Sequence, residues 1–167
     1  IYGSDFADFI SGNGGNDVIS GYLGNDQIFG DSGDDYLDGG EGDDILCGGE
    51  GDDTYYQDPG STDIVDDSEG EDTLDFTDAA SAITINLDLQ NVDQIVDAAG
   101  NTVQLRGQIE HCTGSAFDDT LSLGPLNVPR TITGGDGNDT LNFDAKGLPA
   151  TDDGSTITCL LYTSDAA

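Results

Sequence analysis

From Asp8 to Asp53 an aspartate stands at every ninth residue: Asp8, Asp17, Asp26, Asp35, Asp44 and Asp53. A carboxylate is a hard oxygen donor, and a row of them at fixed spacing is a ligand set for a hard divalent cation. Five residues before each lies a glycine (Gly3, Gly12, Gly21, Gly30, Gly39, Gly48), which lets the backbone turn tightly. Two residues after each comes a large apolar residue: Ile10, Ile19, Ile28, Leu37, Leu46 and Tyr55. Glycine, acid and apolar residue mark a turn, a ligand and a buried strand position. The pattern predicts a solenoid that packs one apolar side chain per unit inward and holds a cation at each bend. Unit charges about 5 Å apart at an effective dielectric near 20 repel by about 3 kcal/mol per pair, and Asp34, Asp43 and Asp52 add to the load. A divalent cation turns that repulsion into coordination. Calcium suits such a site because it accepts several carboxylate and carbonyl oxygens in flexible geometry, whereas magnesium demands a stricter octahedron.

Six units run in phase without insertion: GSDFADFIS, GNGGNDVIS, GYLGNDQIF, GDSGDDYLD, GGEGDDILC and GGEGDDTYY. They resemble the RTX (repeats-in-toxin) family of haemolysin-type calcium-binding nonapeptides, whose unit is G-G-x-G-x-D-x-U-x with U a large apolar residue. The resemblance implies an all-β fold: a right-handed parallel β-roll, a calcium-stabilised solenoid in which two units complete one coil. Asp8, Asp26 and Asp44 would then form one column and Asp17, Asp35 and Asp53 the opposite one, ending at Asp53. Adjacent members of a column would share a calcium ion, giving about four ions in the first roll. The first unit departs from the pattern, with Phe6 where the other five carry Gly15, Gly24, Gly33, Gly42 and Gly51; the second position is glycine only at Gly40 and Gly49.

After Tyr56 the period dissolves. Turn signals at Pro59-Gly60 and Glu69-Gly70 flank short strand-like segments, 63–66 and 72–76. Residues 81–89 alternate apolar and polar, a strand pattern, and 102–109 form a second. The motif then returns. Gly114-Ser-Ala-Phe-Asp-Asp119-Thr-Leu121 mirrors Gly3-Ser-Asp-Phe-Ala-Asp8-Phe-Ile10, and Gly134-Gly-Asp-Gly-Asn-Asp139-Thr-Leu141 matches the unit in full after an insertion with Pro125 and Pro129. Asp139 joins the expected metal ligands. The expected organisation is a roll over 1–57 and a β-rich extension over 58–158 with a degenerate second roll near 114–142. Residues 159–167 resemble a translated sequencing adapter and are set aside. The chain has no methionine and opens in phase with the first repeat, so it is expected to be a piece of a longer protein.

The net charge of −32, with three basic side chains in 167 residues, excludes nucleic-acid binding through phosphates and opposes docking on anionic lipid. Such a balance ordinarily keeps a chain unfolded, which the periodicity contradicts unless cations neutralise it. No apolar run is long enough to span a membrane. Cys47 and Cys112 do not make a disulfide framework, and without a Cys/His cluster zinc is not indicated. The Asp-Asp pairs could suggest two carboxylates at work on a glycosidic bond, but neighbours on a strand face opposite ways and the pairing recurs with the repeat. Phosphate cradling by the glycine turns is opposed by the surrounding acids. His111, the only histidine, has no legible nucleophile around it.

The expected function is calcium binding, in a folding and secretion module that catalyses nothing itself. The resemblance implies a secreted, extracellular bacterial protein and a type I secretion apparatus as partner. The alternatives are the non-catalytic tail of an RTX enzyme (protease, lipase or alginate epimerase) and a rigid spacer of a calcium-dependent adhesin.

Overall fold

The computed structural model describes residues 1–57, 62–67, 69–123 and 131–143. The Pro59-Gly60 turn, the insertion with Pro125 and Pro129, and the adapter-like segment 159–167 lie outside them. Each unit forms a short strand directly after its aspartate: β1 (Phe9–Ser11), β2 (Val18–Ser20), β3 (Gln27–Ser32), β4 (Tyr36–Asp38), β5 (Ile45–Glu50) and β6 (Thr54–Tyr56). Side chains alternate across a strand, so the second residue of each points inward. Those residues are Ile10, Ile19, Ile28, Leu37, Leu46 and Tyr55, all buried.

Odd strands join one parallel sheet and even strands another. In the first, Ile10 pairs with Ile28 and Ile28 with Leu46; in the second, Ile19 pairs with Leu37 and Leu37 with Tyr55. The register step is thus two units, as the resemblance implies. Both sheets run on past the last regular unit. Strand β7 (Thr62–Asp66) sets Val65 beside Leu46, and β8 (Thr73–Asp75) sets Leu74 beside Tyr55.

The chain then leaves the stack through β9 (Thr84–Asn86) and β10 (Gln94–Ile95), and returns as β11 (Thr102–Arg106) and β12 (His111–Thr113). These place Leu105 beside Val65 and Cys112 beside Leu74. Strand β10 pairs antiparallel with β11 and forms the end of the first sheet. The second sheet continues to β14 (Thr131–Thr133). A third sheet is built from β9, β13 (Thr120–Leu123) and β15 (Thr140–Phe143), with Leu121 between Ile85 and Leu141. The described residues form an all-β roll whose strands are parallel except β10, and the second sheet is common to its early and late coils. Of residues 81–89 only Thr84–Asn86 is strand, although Ile83, Ile85 and Leu87 are all buried as the alternation predicts.

One continuous apolar cluster joins Ile10 at one end to Ile132 at the other. Tyr55 is the largest side chain in it, and its hydroxyl accepts a hydrogen bond from the Gly48 N–H at 2.8 Å. Cys47 and Cys112 are both free thiols, Cys112 within this core. Turn glycines allow coils to touch: Gly42 has φ 145°, and a Cβ there would collide with the Gly24 carbonyl. Leu46 has neighbours above and below in its ladder, so Leu46→Ala opens a cavity and is expected to lower stability by about 2–5 kcal/mol, measured by denaturant unfolding in calcium. Phe9→Ala, at an exposed side chain, is expected to change it by about 0.5 kcal/mol or less.

Candidate metal centre

The aspartates sit where turn becomes strand, and each is held by the coil next to it. The Asp8 N–H donates to Asp26 Oδ1 at 2.8 Å, Asp26 to Asp44 at 2.7 Å, and Asp44 to Asp63 at 3.1 Å. On the other side Asp17 donates to Asp35 at 2.7 Å, Asp35 to Asp53 at 2.8 Å, and Asp53 to Asp72 at 2.9 Å. The Asp72 N–H finishes this column on Glu110 Oε2 at 3.2 Å. A third column belongs to the third sheet: Ile83 N–H donates to Asp119 Oδ1 at 2.8 Å and Asp119 N–H to Asp139 Oδ1 at 3.0 Å.

The structure therefore brings Asp8, Asp26 and Asp44 together, and Asp17, Asp35 and Asp53 together, as the two-unit coil requires. Asp139 stands apart in the third column. The expectation that the second column ends at Asp53 is corrected: Asp72 and Glu110 extend it. Asp63 and Asp72 were overlooked because they fall 19 residues after Asp44 and Asp53, one residue out of phase.

In Asp26, Asp35, Asp44 and Asp53 one carboxylate oxygen is thus engaged by the neighbouring coil, and the other is not. The Oδ2 atoms of Asp17, Asp26, Asp35, Asp44 and Asp53 are buried and have no hydrogen-bond partner. Each lies against the first-position glycine of its own unit, and the carbonyl of the glycine one coil on crowds the same place at Gly12, Gly21 and Gly30. Asp26, Asp35, Asp44 and Asp53 are each no more than 2% exposed, and among the described residues none pairs with a basic side chain. Buried charges are tolerated only when paired or bound to metal. Carboxylate and carbonyl oxygens converging at a turn, with no nitrogen or sulfur donor, fit calcium.

Electrostatics point the same way. Burial first, then the charges of Asp26, Asp43 and Asp38, push Asp44 up to about 6. Burial and the charges of Asp67, Asp35 and Asp34 likewise push Asp53 up to about 6. Asp26 and Asp35 are raised by burial too. Asp67 occupies the place that glycine holds in the regular units. Burial and this added carboxyl raise Asp72 to about 9, and Asp53, Asp67 and Asp72 bring carboxylate oxygens within 4.8 Å of one another.

The fifth-position acids have a different fate. Asp34, Asp43 and Asp52 are exposed and form an outer ladder: Asp34 N–H donates to Asn16 Oδ1 at 3.1 Å and Asp52 N–H to Asp34 Oδ1 at 3.2 Å. In each Asp-Asp pair only the second residue faces the column. His111 Nε2 lies 3.8 Å from Glu71 Oε2, an exposed carboxylate.

The family described as RTX calcium-binding nonapeptide repeat (4 copies) matches residues 2–37, 21–55 and 131–145. The repeats of this chain belong to the RTX calcium-binding family. Among curated proteins no match to the chain is found. The matched repeats support calcium binding, and Asp17, Asp26, Asp35, Asp44 and Asp53 are the residues that would hold the ion, with their Oδ2 atoms and the neighbouring carbonyls as hard oxygens. A bound ion would supply the positive charge that the turns lack.

Because its column continues to Asp72, Asp53 has a neighbour on each side, as Asp35 does. Asp35→Ala and Asp53→Ala are expected to lose the same amount of bound calcium in equilibrium dialysis. A smaller loss for Asp53→Ala would restore a column ending there.

Proposed function

We propose that this RTX chain is a calcium-dependent folding and secretion module of an extracellular bacterial protein. The observation that carries the reading is the set of buried aspartates, stacked one coil apart, each with a second oxygen that no protein donor reaches. Where calcium is scarce the like charges hold the coils apart. Where it is plentiful each bound ion draws two turns together. Calcium at a hundredfold excess over a site's dissociation constant adds about 2.7 kcal/mol per site, and about four sites in the first roll would decide whether the chain folds. A chain with this switch travels unfolded through a type I secretion apparatus and folds outside the cell. It takes part in no catalysis itself, and an enzymatic partner domain such as a protease, lipase or epimerase would lie elsewhere in the parent protein.

A second reading, a rigid spacer in an adhesin, is favoured by one feature. The second sheet runs unbroken from β2 in the regular units to β14 beside the returning repeat, which suits an element that transmits length.

Circular dichroism of the chain, titrated with calcium and separately with magnesium, tests the folding reading. A cooperative gain of β signal in calcium, with little response to magnesium, is expected. A β signal already complete in chelator would refute the switch.

A further inference from the structure

The eight turns that open on a repeat glycine come in two conformations, and the residue at the second repeat position sorts them. In six turns that residue has a positive φ: Asn13 (71°), Tyr22 (77°), Asp31 (76°), Gly40 (86°), Gly49 (115°) and Gly135 (93°). Three of these are not glycine, and a tyrosine or aspartate in the left-handed region carries a conformational cost. In the same turns the fourth residue is a glycine at positive φ. The five in the first roll are those whose aspartate keeps a buried Oδ2 without a donor.

The other two turns that open on a repeat glycine, Gly3–Asp8 and Gly114–Asp119, carry serine at the second position and phenylalanine at the fourth, and neither residue has a positive φ. Here the serine turns onto the aspartate. Ser4 donates to Asp8 Oδ2 from its N–H at 2.6 Å and from its hydroxyl at 2.7 Å. Ser115 donates from its N–H to Asp119 Oδ2 at 2.6 Å and from its hydroxyl to Asp119 Oδ1 at 2.8 Å. The loop is tied once more by the fourth residue, since Phe6 N–H donates to Ser4 Oγ at 3.3 Å and Phe117 N–H to Ser115 Oγ at 3.1 Å. The two turns are far apart in sequence and lead into different sheets, yet in both the serine donates twice to the aspartate carboxylate and the phenylalanine N–H donates to the serine.

We infer that the second repeat position decides whether a turn takes calcium, and that Ser4 and Ser115 close their turns against it. Hydrogens of two donors point at the carboxylate, on the lone pairs a cation would need. A cation there must displace both donors and meets their positive ends on approach. The serine supplies with neutral dipoles what calcium supplies elsewhere with charge. Asp119 gains most from this arrangement. It is 1% exposed and heads the third column, where Ile83 before it offers a backbone N–H and no carboxylate to share an ion. Asp8, although in phase with the other repeat aspartates, is on this account a structural acceptor and not a calcium ligand.

The inference rests on the calcium reading above, and native mass spectrometry of the chain in calcium separates the two by counting bound ions. Asp8→Asn and Asp119→Asn keep an oxygen for the serine and remove the charge, and each is expected to retain the wild-type count. The double variant Ser4→Gly/Phe6→Gly restores the glycines of the open turns and is expected to bind one ion more. Loss of an ion in Asp8→Asn or Asp119→Asn, or an unchanged count in the double variant, would overturn the inference while leaving calcium binding intact. A wild-type chain that binds no calcium would overturn both.

Discussion

Carboxylates stacked at one coil spacing inside a protein govern everything else in this molecule. At about 5 Å each such pair opposes closure by about 3 kcal/mol, and the roll stacks them in three columns. The apolar ladder favours closure, since a fully buried aliphatic side chain contributes about 1.5–3 kcal/mol. Each aspartate in the regular units lies two residues from its core residue, so the two effects act at nearly the same point of every coil. A cation at the turn removes the opposition without disturbing the ladder. Backbone geometry supports this: each column amide donates to the next carboxylate, which fixes one oxygen and turns the other toward the glycine and carbonyls.

The same register serves core and column. A step of two units puts Ile28 between Ile10 and Leu46 and, in the same move, Asp26 between Asp8 and Asp44. A change of register would break both at once, which makes the roll a specified structure despite its thin core. The later coils keep the columns despite their irregular spacing. Asp63 and Asp72 still meet their columns, and Glu110 reaches Asp72 with a longer side chain.

Much of this was legible in the sequence, because period is a physical signal. The nine-residue repeat marks the inward residues and the aspartates, and the family resemblance implies the strands and the two columns of the regular units. What escaped it had particular causes. Asp63 and Asp72 are shifted by one residue, and Glu110 is separated from Asp72 by the excursion through β9 and β10, so the longer column was not visible. The third sheet could not be foreseen, since it pairs β9 with β13 across a gap that no local pattern encodes. The closed turns were partly visible, for Ser and Phe recur at matching places in 3–8 and 114–119. Their meaning appears only with the serine hydrogen bonds in view. Asp8 looked like its fellows by spacing, and spacing reports position, not what already occupies a carboxylate.

Hydrogen exchange at the column amides tests the central claim most directly. The N–H groups of Asp17, Asp26, Asp35 and Asp44 each donate to a stacked carboxylate, so their protection reports closure of the columns themselves. The account predicts strong protection in calcium and rapid exchange of all four in chelator. Equal protection in both conditions would contradict it, since the carboxylates would then be stacking without a cation to hold them.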